Sequence, residues 1–310
     1  MRRPSNPSPV RRPANARAAF TRAPVLEREE YVEQSHLFGL LHEQTGTRSP
    51  IQDLLEQLRH EVLATTRLPM AMEYLLTEVR HSGLLGPAMH QLSHYFTPFQ
   101  TFLIDQSELD TGRFMMHTAF KIMQSEAEYR VADASPAGMF FYQFEVLCRN
   151  RLSYDLGLTA MSGDPIFDDT WSSWILKLRA EIGLVDFADL VFLASENYRA
   201  KLKAAGKRGE DSPSADNKVT CLFGDKEGRI AFANRRKDPL YLFSALQRHL
   251  GYPTVPKPQP IDETNELIPQ MARRIERLEA RIQLMEEERR QSLDITKFYE
   301  QNKHRVNFPD

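Results

Sequence analysis

Five times along this chain a residue with an oxygen-bearing side chain precedes a proline that opens an apolar run: Ser49-Pro50, Thr97-Pro98, Ser135-Pro136, Asp164-Pro165 and Asp238-Pro239. Proline loses nothing at the first position of a helix, because its missing N–H would have had no intrahelical acceptor there. The side chain before it can accept from the orphan amides that follow. Gln52 and Gln100 stand three residues after Ser49 and Thr97, where a capping box needs them. A chain punctuated in this way is built from helices.

The apolar spacing agrees. Ile51, Leu54, Leu55, Leu58, Val62 and Leu63 step along one helical face, as do Phe114, Met115, Ala119, Ile122 and Met123. Met139, Phe140, Phe144, Leu147 and Cys148 form another such stripe, and Trp171, Trp174, Ile175 and Leu178 a fourth. Asp186 is placed to cap a run from Phe187 to Tyr198, and Leu240 to Leu250 stops at Gly251 ahead of Pro253. The expected fold is all-α, a multi-helix bundle of about eight to ten helices with short connections. Residues 218–234 admit two readings. Val219, Cys221 and Phe223 followed by Ile230 and Phe232 alternate like a small β-hairpin, whereas Asp225 can also cap a helix running to Lys237; the helix is preferred.

Composition divides the chain further. Residues 1–24 hold six arginines, five prolines and no acid, which predicts a flexible basic tail; the other 286 residues carry 34 bases against 42 acids. The expected organisation is a helical bundle at 25–202, a polar linker at 203–217 and a helical extension of the body at 218–251. A proline-rich spacer at 252–266, a coiled coil at 267–292 and a tail at 293–310 follow. No run of about 18 apolar residues is present to span a bilayer, and no apolar leader of signal-peptide type precedes the body. Two cysteines, Cys148 and Cys221, far apart in sequence, fit a reducing compartment, and the expected location is the cytoplasm.

The most specific functional pattern lies near the C-terminus. Ile268, Met271, Ile275, Leu278, Ile282 and Met285 step by 3, 4, 3, 4, 3, which puts Ile at each a position and Met, Leu, Met at d. β-Branched a residues with d residues unbranched at Cβ favour a parallel pair of helices. Arg274 and Arg281 fall at g, and Glu279 and Glu286 at e, so each g faces an opposite charge in a parallel partner. An antiparallel pair would set Arg on Arg and Glu on Glu. Arg289 breaks the a series, leaving about three heptads, and exposed ion pairs contribute only about 0.2–1 kcal/mol each. The alternatives are a helix folded back on its own body and a helix paired with a different protein.

Other chemistry is less specific. Glu78 and His81 form Glu-x-x-His, a spacing used in carboxylate-bridged di-metal bundles, and His90 and His94 would share a helical face, with His117 on another helix. Glu56 with His60, and Glu126 with Glu128, are further N/O donors for Fe, Mn or Zn. The di-metal motif occurs once rather than twice, and the His pair lacks the glutamate of the metalloprotease helix. Cys148 lies on an apolar stripe, as a small core residue would. No phosphate-binding loop, dinucleotide glycine pattern or Gly-x-Ser-x-Gly elbow occurs. Arg235-Arg236-Lys237 forms a basic cluster, read as a solvated helix end, without the aromatic or zinc signatures of nucleic-acid readers. The reading is a non-catalytic interaction or scaffold protein without cofactor, a homodimer through its C-terminal helix, with no membrane or nucleic-acid partner. The alternative is a helical metalloenzyme with a site at Glu78, His81, His90, His94 and His117. A third is nucleic-acid binding through the basic arm.

Overall fold

The computed structural model describes residues 25–45, 50–109, 114–204, 221–256, 271–272, 274–286 and 289. The expected basic arm at 1–24, most of the 203–217 linker, Ile268 and the tail at 293–310 lie outside them.

Helix starts appear where local chemistry specifies them. Thr97 opens α5 (Pro98–Glu108) with a complete capping box: Thr97 Oγ1 accepts from the Gln100 amide at 3.2 Å, and Gln100 Oε1 accepts from the Thr97 amide at 3.1 Å. Ser135 caps α7 (Pro136–Asn150) by accepting from Gly138 N, and Asp238 caps α13 (Pro239–Leu250) by accepting from Leu240 N. At its far end α13 closes on Gly251 in the left-handed conformation, φ +69°, which glycine adopts without a Cβ clash. Before α5 come α1 (Arg28–Thr45), α2 (Ile51–Leu58), α3 (Leu68–Ser82) and α4 (Gly86–Gln91). Between α5 and α7 lies α6 (Met116–Val131), and between α7 and α13 lie α8 (Tyr154–Ser162), α9 (Asp169–Glu181), α10 (Phe187–Leu193), α11 (Glu196–Ala204) and α12 (Asp225–Ala233). Residues 271–272 and 274–286 are helical as well. Among the described residues there is no strand, only isolated bridges between Ile182 and Val185 and between Ser195 and Phe223. The protein is an all-α multi-helix bundle.

Four local expectations are corrected. The first apolar run is shorter than its spacing suggests: α2 stops at Leu58, and the chain turns through residues 59–66. Asp164-Pro165 makes a turn, not a helix start; the cap of α9 is Asp168, whose carboxylate accepts from Trp171 N at 2.8 Å. The run from Phe187 to Tyr198 is two helices, because the Ala194 carbonyl accepts from Leu222 N and Phe223 N while Glu196 N donates to the Phe223 carbonyl. Residues 225–233 form the preferred helix, but its bounds differ: Gly224 rather than Asp225 is the N-cap, and it ends at Ala233, short of Lys237.

At the centre lies α7, whose residues 138–147 are buried without interruption. Its sequence stripe describes only one of its faces; Phe141, Tyr142 and Val146 fill the other. A helix buried on every side belongs inside a protein, wrapped by others. Phe140 meets the rings of Phe141, Phe144, Trp171, Trp174, Phe187 and Phe223 at centroid distances of 5.0 to 6.3 Å. One side chain thus joins α7, α9, α10 and the segment before α12. Phe140→Ala is expected to cost about 3–5 kcal/mol in urea unfolding, and Thr97→Ala about 0.5–2 kcal/mol.

Candidate functional site

The helix at 274–286 carries its charges and its apolar side chains on separate faces. Met271, Ile275, Leu278, Ile282 and Met285 are 49% to 59% exposed, an unbroken apolar stripe open to water. Arg274, Glu279, Arg281 and Glu286 are exposed beside it. Glu276, Arg277 and Ala280, on the other side of the helix, are half-buried. The contact with the body is made there. Arg277 Nη1 donates to the Glu108 carbonyl at 3.3 Å, and a Cβ on Gly83 would lie 3.1 Å from Arg277 Cγ and 3.5 Å from its Cα.

The surface that receives Arg277 is built from helix ends. Gly83, at φ +71°, terminates α3, and Glu108 is the last residue of α5. Helix C-termini concentrate partial negative charge and unpaired carbonyls, a setting that favours a cation. The Glu108 carboxylate turns the other way and accepts from Leu85 N at 2.6 Å and Gly86 N at 3.0 Å, at the start of α4. Burial pushes this carboxyl above the usual glutamate range, against the lowering effects of those two amides and of Arg277.

The proline stretch also begins on the body. Tyr252 and Val255 are buried, and the Tyr252 hydroxyl lies 2.7 Å from Glu145 Oε2 and 3.0 Å from the Phe243 carbonyl. The expected spacer therefore starts from a fixed point against the bundle.

The histidines stay apart. His81, on α3 with the half-buried Glu78, is exposed. His90 Nε2 sits 2.8 Å from Asp105 Oδ2 at the surface. Because α4 ends at Gln91, His94 falls in the following turn and does not share a helical face with His90. His117 Nε2 lies 3.3 Å from Thr118 Oγ1, and the His117 carbonyl is 2.9 Å from His42 Nδ1. His60 likewise lies beyond the end of α2, and Glu56 pairs with Arg80. Among the described residues no three of His, Cys, Asp and Glu come together as a metal site.

Sequence reasoning missed a buried ionic cluster. Arg130 Nη2 lies 2.5 Å from both Glu126 Oε1 and Asp164 Oδ2, and Gln143 Nε2 donates to Asp164 Oδ2 at 2.8 Å. The guanidinium lies 5.6 Å over the Tyr31 ring. The i, i+4 spacing of Glu126 and Arg130 was a legible local signal; the contribution of Asp164, from a turn between α8 and α9, was not. Two carboxylates share one guanidinium, and burial pushes the Glu126 pKa up. Glu126 Oε2 and Gln143 Oε1 are buried acceptors without a donor among the described residues. A proton on Glu126 removes the excess charge and supplies one.

Two further features match packing rather than chemistry. Burial pushes the Cys148 thiol up to about 11, which disfavours the nucleophilic thiolate. In the basic cluster after α12, Arg235 pairs with Asp189 and the Arg236 backbone amide donates to Asp186 Oδ2 at 2.5 Å, while Arg236 and Lys237 are exposed. No helix among the described residues is long and apolar enough to cross a membrane. No protein-family model, curated protein or solved structure matches the chain.

The ionic cluster generates a prediction. Glu126→Gln, which keeps the shape and supplies an N–H donor, is expected to change stability by less than about 1 kcal/mol where Glu126 is protonated, whereas Asp164→Asn or Arg130→Met costs about 3–5 kcal/mol at pH 7. The pH dependence has a definite sign. A raised folded-state pKa means that the native chain holds the Glu126 proton longer than the unfolded chain, so this contribution is complete below the ordinary value of 4.5 and is lost as pH climbs through the raised one. Urea titrations across that range should show the wild type losing stability relative to Glu126→Gln as pH rises.

Proposed function

We propose that the protein is a non-catalytic scaffold whose two copies associate through a short parallel coiled coil. Ile268, Met271, Ile275, Leu278, Ile282 and Met285 form the seam, and Arg274, Glu279, Arg281 and Glu286 its flanks. The observation that carries this reading is the half-exposed apolar stripe at 271–285 on a helix that meets its own body by the other face. Left in water the stripe gains nothing from its β-branched and long apolar side chains; packed knob-into-hole against a second copy it excludes water along its length. The charges select the same partner. Arg274 would face Glu279, and Arg281 would face Glu286, across each side of a parallel pair. Ile268 lies outside the described residues and extends the seam by one a position on sequence grounds.

The reading also assigns the chain to the cytoplasm. Its support is that Cys148 and Cys221 are both free, as a reducing compartment would keep them.

Sedimentation velocity of the full chain tests the assembly. The wild type should sediment as a dimer with a concentration-dependent monomer fraction. Ile275→Asp with Ile282→Asp should give monomer at every concentration, with the thermal unfolding of the bundle unchanged. Reversing the flanks, as Arg274→Glu with Arg281→Glu, should weaken self-association, and mixing with Glu279→Arg, Glu286→Arg chains should restore it. If the double aspartate variant sediments as the wild type does, the assignment is wrong.

A further inference from the structure

We propose that Arg277 is a fixed dock between coil and bundle, so that a dimer formed through the seam holds its two bundles rigidly on opposite flanks of the shared coil. This rests on the self-association reading and adds what that reading leaves open: whether the bundles swing on a tether or are presented in a set geometry.

Three observations converge on Arg277. First, its guanidinium donates to the Glu108 carbonyl at the C-terminus of α5, while its aliphatic stem lies against Gly83, the C-cap of α3. Second, the coil packs closely on Gly83: a Cβ there would lie 3.1 Å from Arg277 Cγ, so that the Arg277 stem would have to shift by a few tenths of an ångström, and the φ of +71° is one that other residues adopt with strain. Third, the receiving surface is itself braced: the Glu108 carboxylate holds the first amides of α4, and a Cβ on Gly86 would lie 2.3 Å from Asp105 Oδ1. A dock made of helix ends and close backbone contact resists rotation better than a lone surface ion pair.

The heptad geometry supplies the rest. With Ile275 and Ile282 at a and Leu278 at d, Arg277 occupies c, and Glu276 and Ala280 occupy b and f. In a two-stranded coil these positions point away from the partner helix. The dock therefore leaves the seam open, and the two-fold axis of a parallel pair carries the second bundle to the opposite flank. Two identical surfaces at a fixed separation gain avidity for a partner that matches their spacing and lose it for one that does not.

Distance measurements by pulsed electron spin resonance on the full chain test this. In a Cys148→Ala, Cys221→Ser background, nitroxides are attached through Met70→Cys on α3 and Gln283→Cys on the coil, with labelled chain diluted in unlabelled chain. A singly labelled Met70→Cys chain reports the distance between bundles. The expected result is one narrow distribution in each experiment. Arg277→Ala should widen both at least twofold while the sedimentation of the dimer is unchanged, and Arg277→Lys, which keeps the charge, should fall between. High salt should widen the distribution of the chain that retains Arg277, which keeps the proposal testable even if Arg277→Ala misfolds. A width indifferent to both Arg277→Ala and salt, or a broad distribution in the unaltered chain, overturns the dock. A monomer by sedimentation that keeps the narrow intramolecular distance overturns instead the self-association reading, and the paired geometry with it.

Discussion

Burying α7 on every side sets the terms for the rest of the bundle. A helix with one wet face can turn its polar residues to water; Gln143 and Glu145, in the middle of α7, have no such face. Each must be answered by a group brought from elsewhere in the chain. For Gln143 the answer comes from Asp164 and Glu126, and it draws Arg130 into the interior with them. For Glu145 it comes from Arg149 one turn on and from the hydroxyl of Tyr252, 107 residues away in sequence. That last bond helps hold the start of the proline stretch on the bundle: release of Tyr252 would take from Glu145 Oε2 its hydroxyl donor, leaving the carboxylate to Arg149 alone.

The aromatic side of α7 imposes a second constraint. Phe223 reaches Phe140, Phe141, Trp171 and Trp174 only if the segment before α12 runs extended past the core. The extended backbone then needs partners, and it takes them from Ala194 and Glu196, which cannot stay within a continuous helix. Gly228 completes the junction, since a Cβ there would lie 2.3 Å from Ser195 Oγ. The break between α10 and α11 and the start of α12 are thus one event seen from two places in the chain.

Legibility from sequence follows the range of the interaction that decides each element. The capping box at Thr97 and the caps at Ser135 and Asp238 lie within a few residues of the groups they satisfy, and the letters reveal them. The same holds for the aromatic stripes of α7 and α9 and for the helical spacing of residues 274–286. Asp164-Pro165 has the same local signature as a cap and is used differently, because its carboxylate is needed by Arg130 and Gln143 across the core. Val219, Cys221 and Phe223 with Ile230 and Phe232 alternate well enough for a hairpin to compete with the preferred helix; that 225–233 is helical follows from where Phe223 and Gly228 pack. The His90 and His94 pairing fails for a similar reason: Tyr95 and Phe96 enter the core, and the chain leaves the helix after Gln91 to let them do so. Arg277 is hidden in another way, as one base among many on a charged helix, with nothing local to separate it from Arg274 or Arg281.

The face by which the last helix meets the bundle is a choice made by electrostatics against the hydrophobic effect. Had area alone decided, Ile275, Leu278 and Ile282 would have turned inward and the charged side outward. At that place the bundle presents the ends of α3 and α5, and the Glu108 carbonyl, which would lose hydration if covered by isoleucine, gains a hydrogen bond and a favourable dipole interaction from Arg277. A surface of helix C-termini therefore disfavours the apolar stripe and accepts the opposite face. The apolar stripe is left pointing at solvent as a consequence of what it would otherwise have to bury.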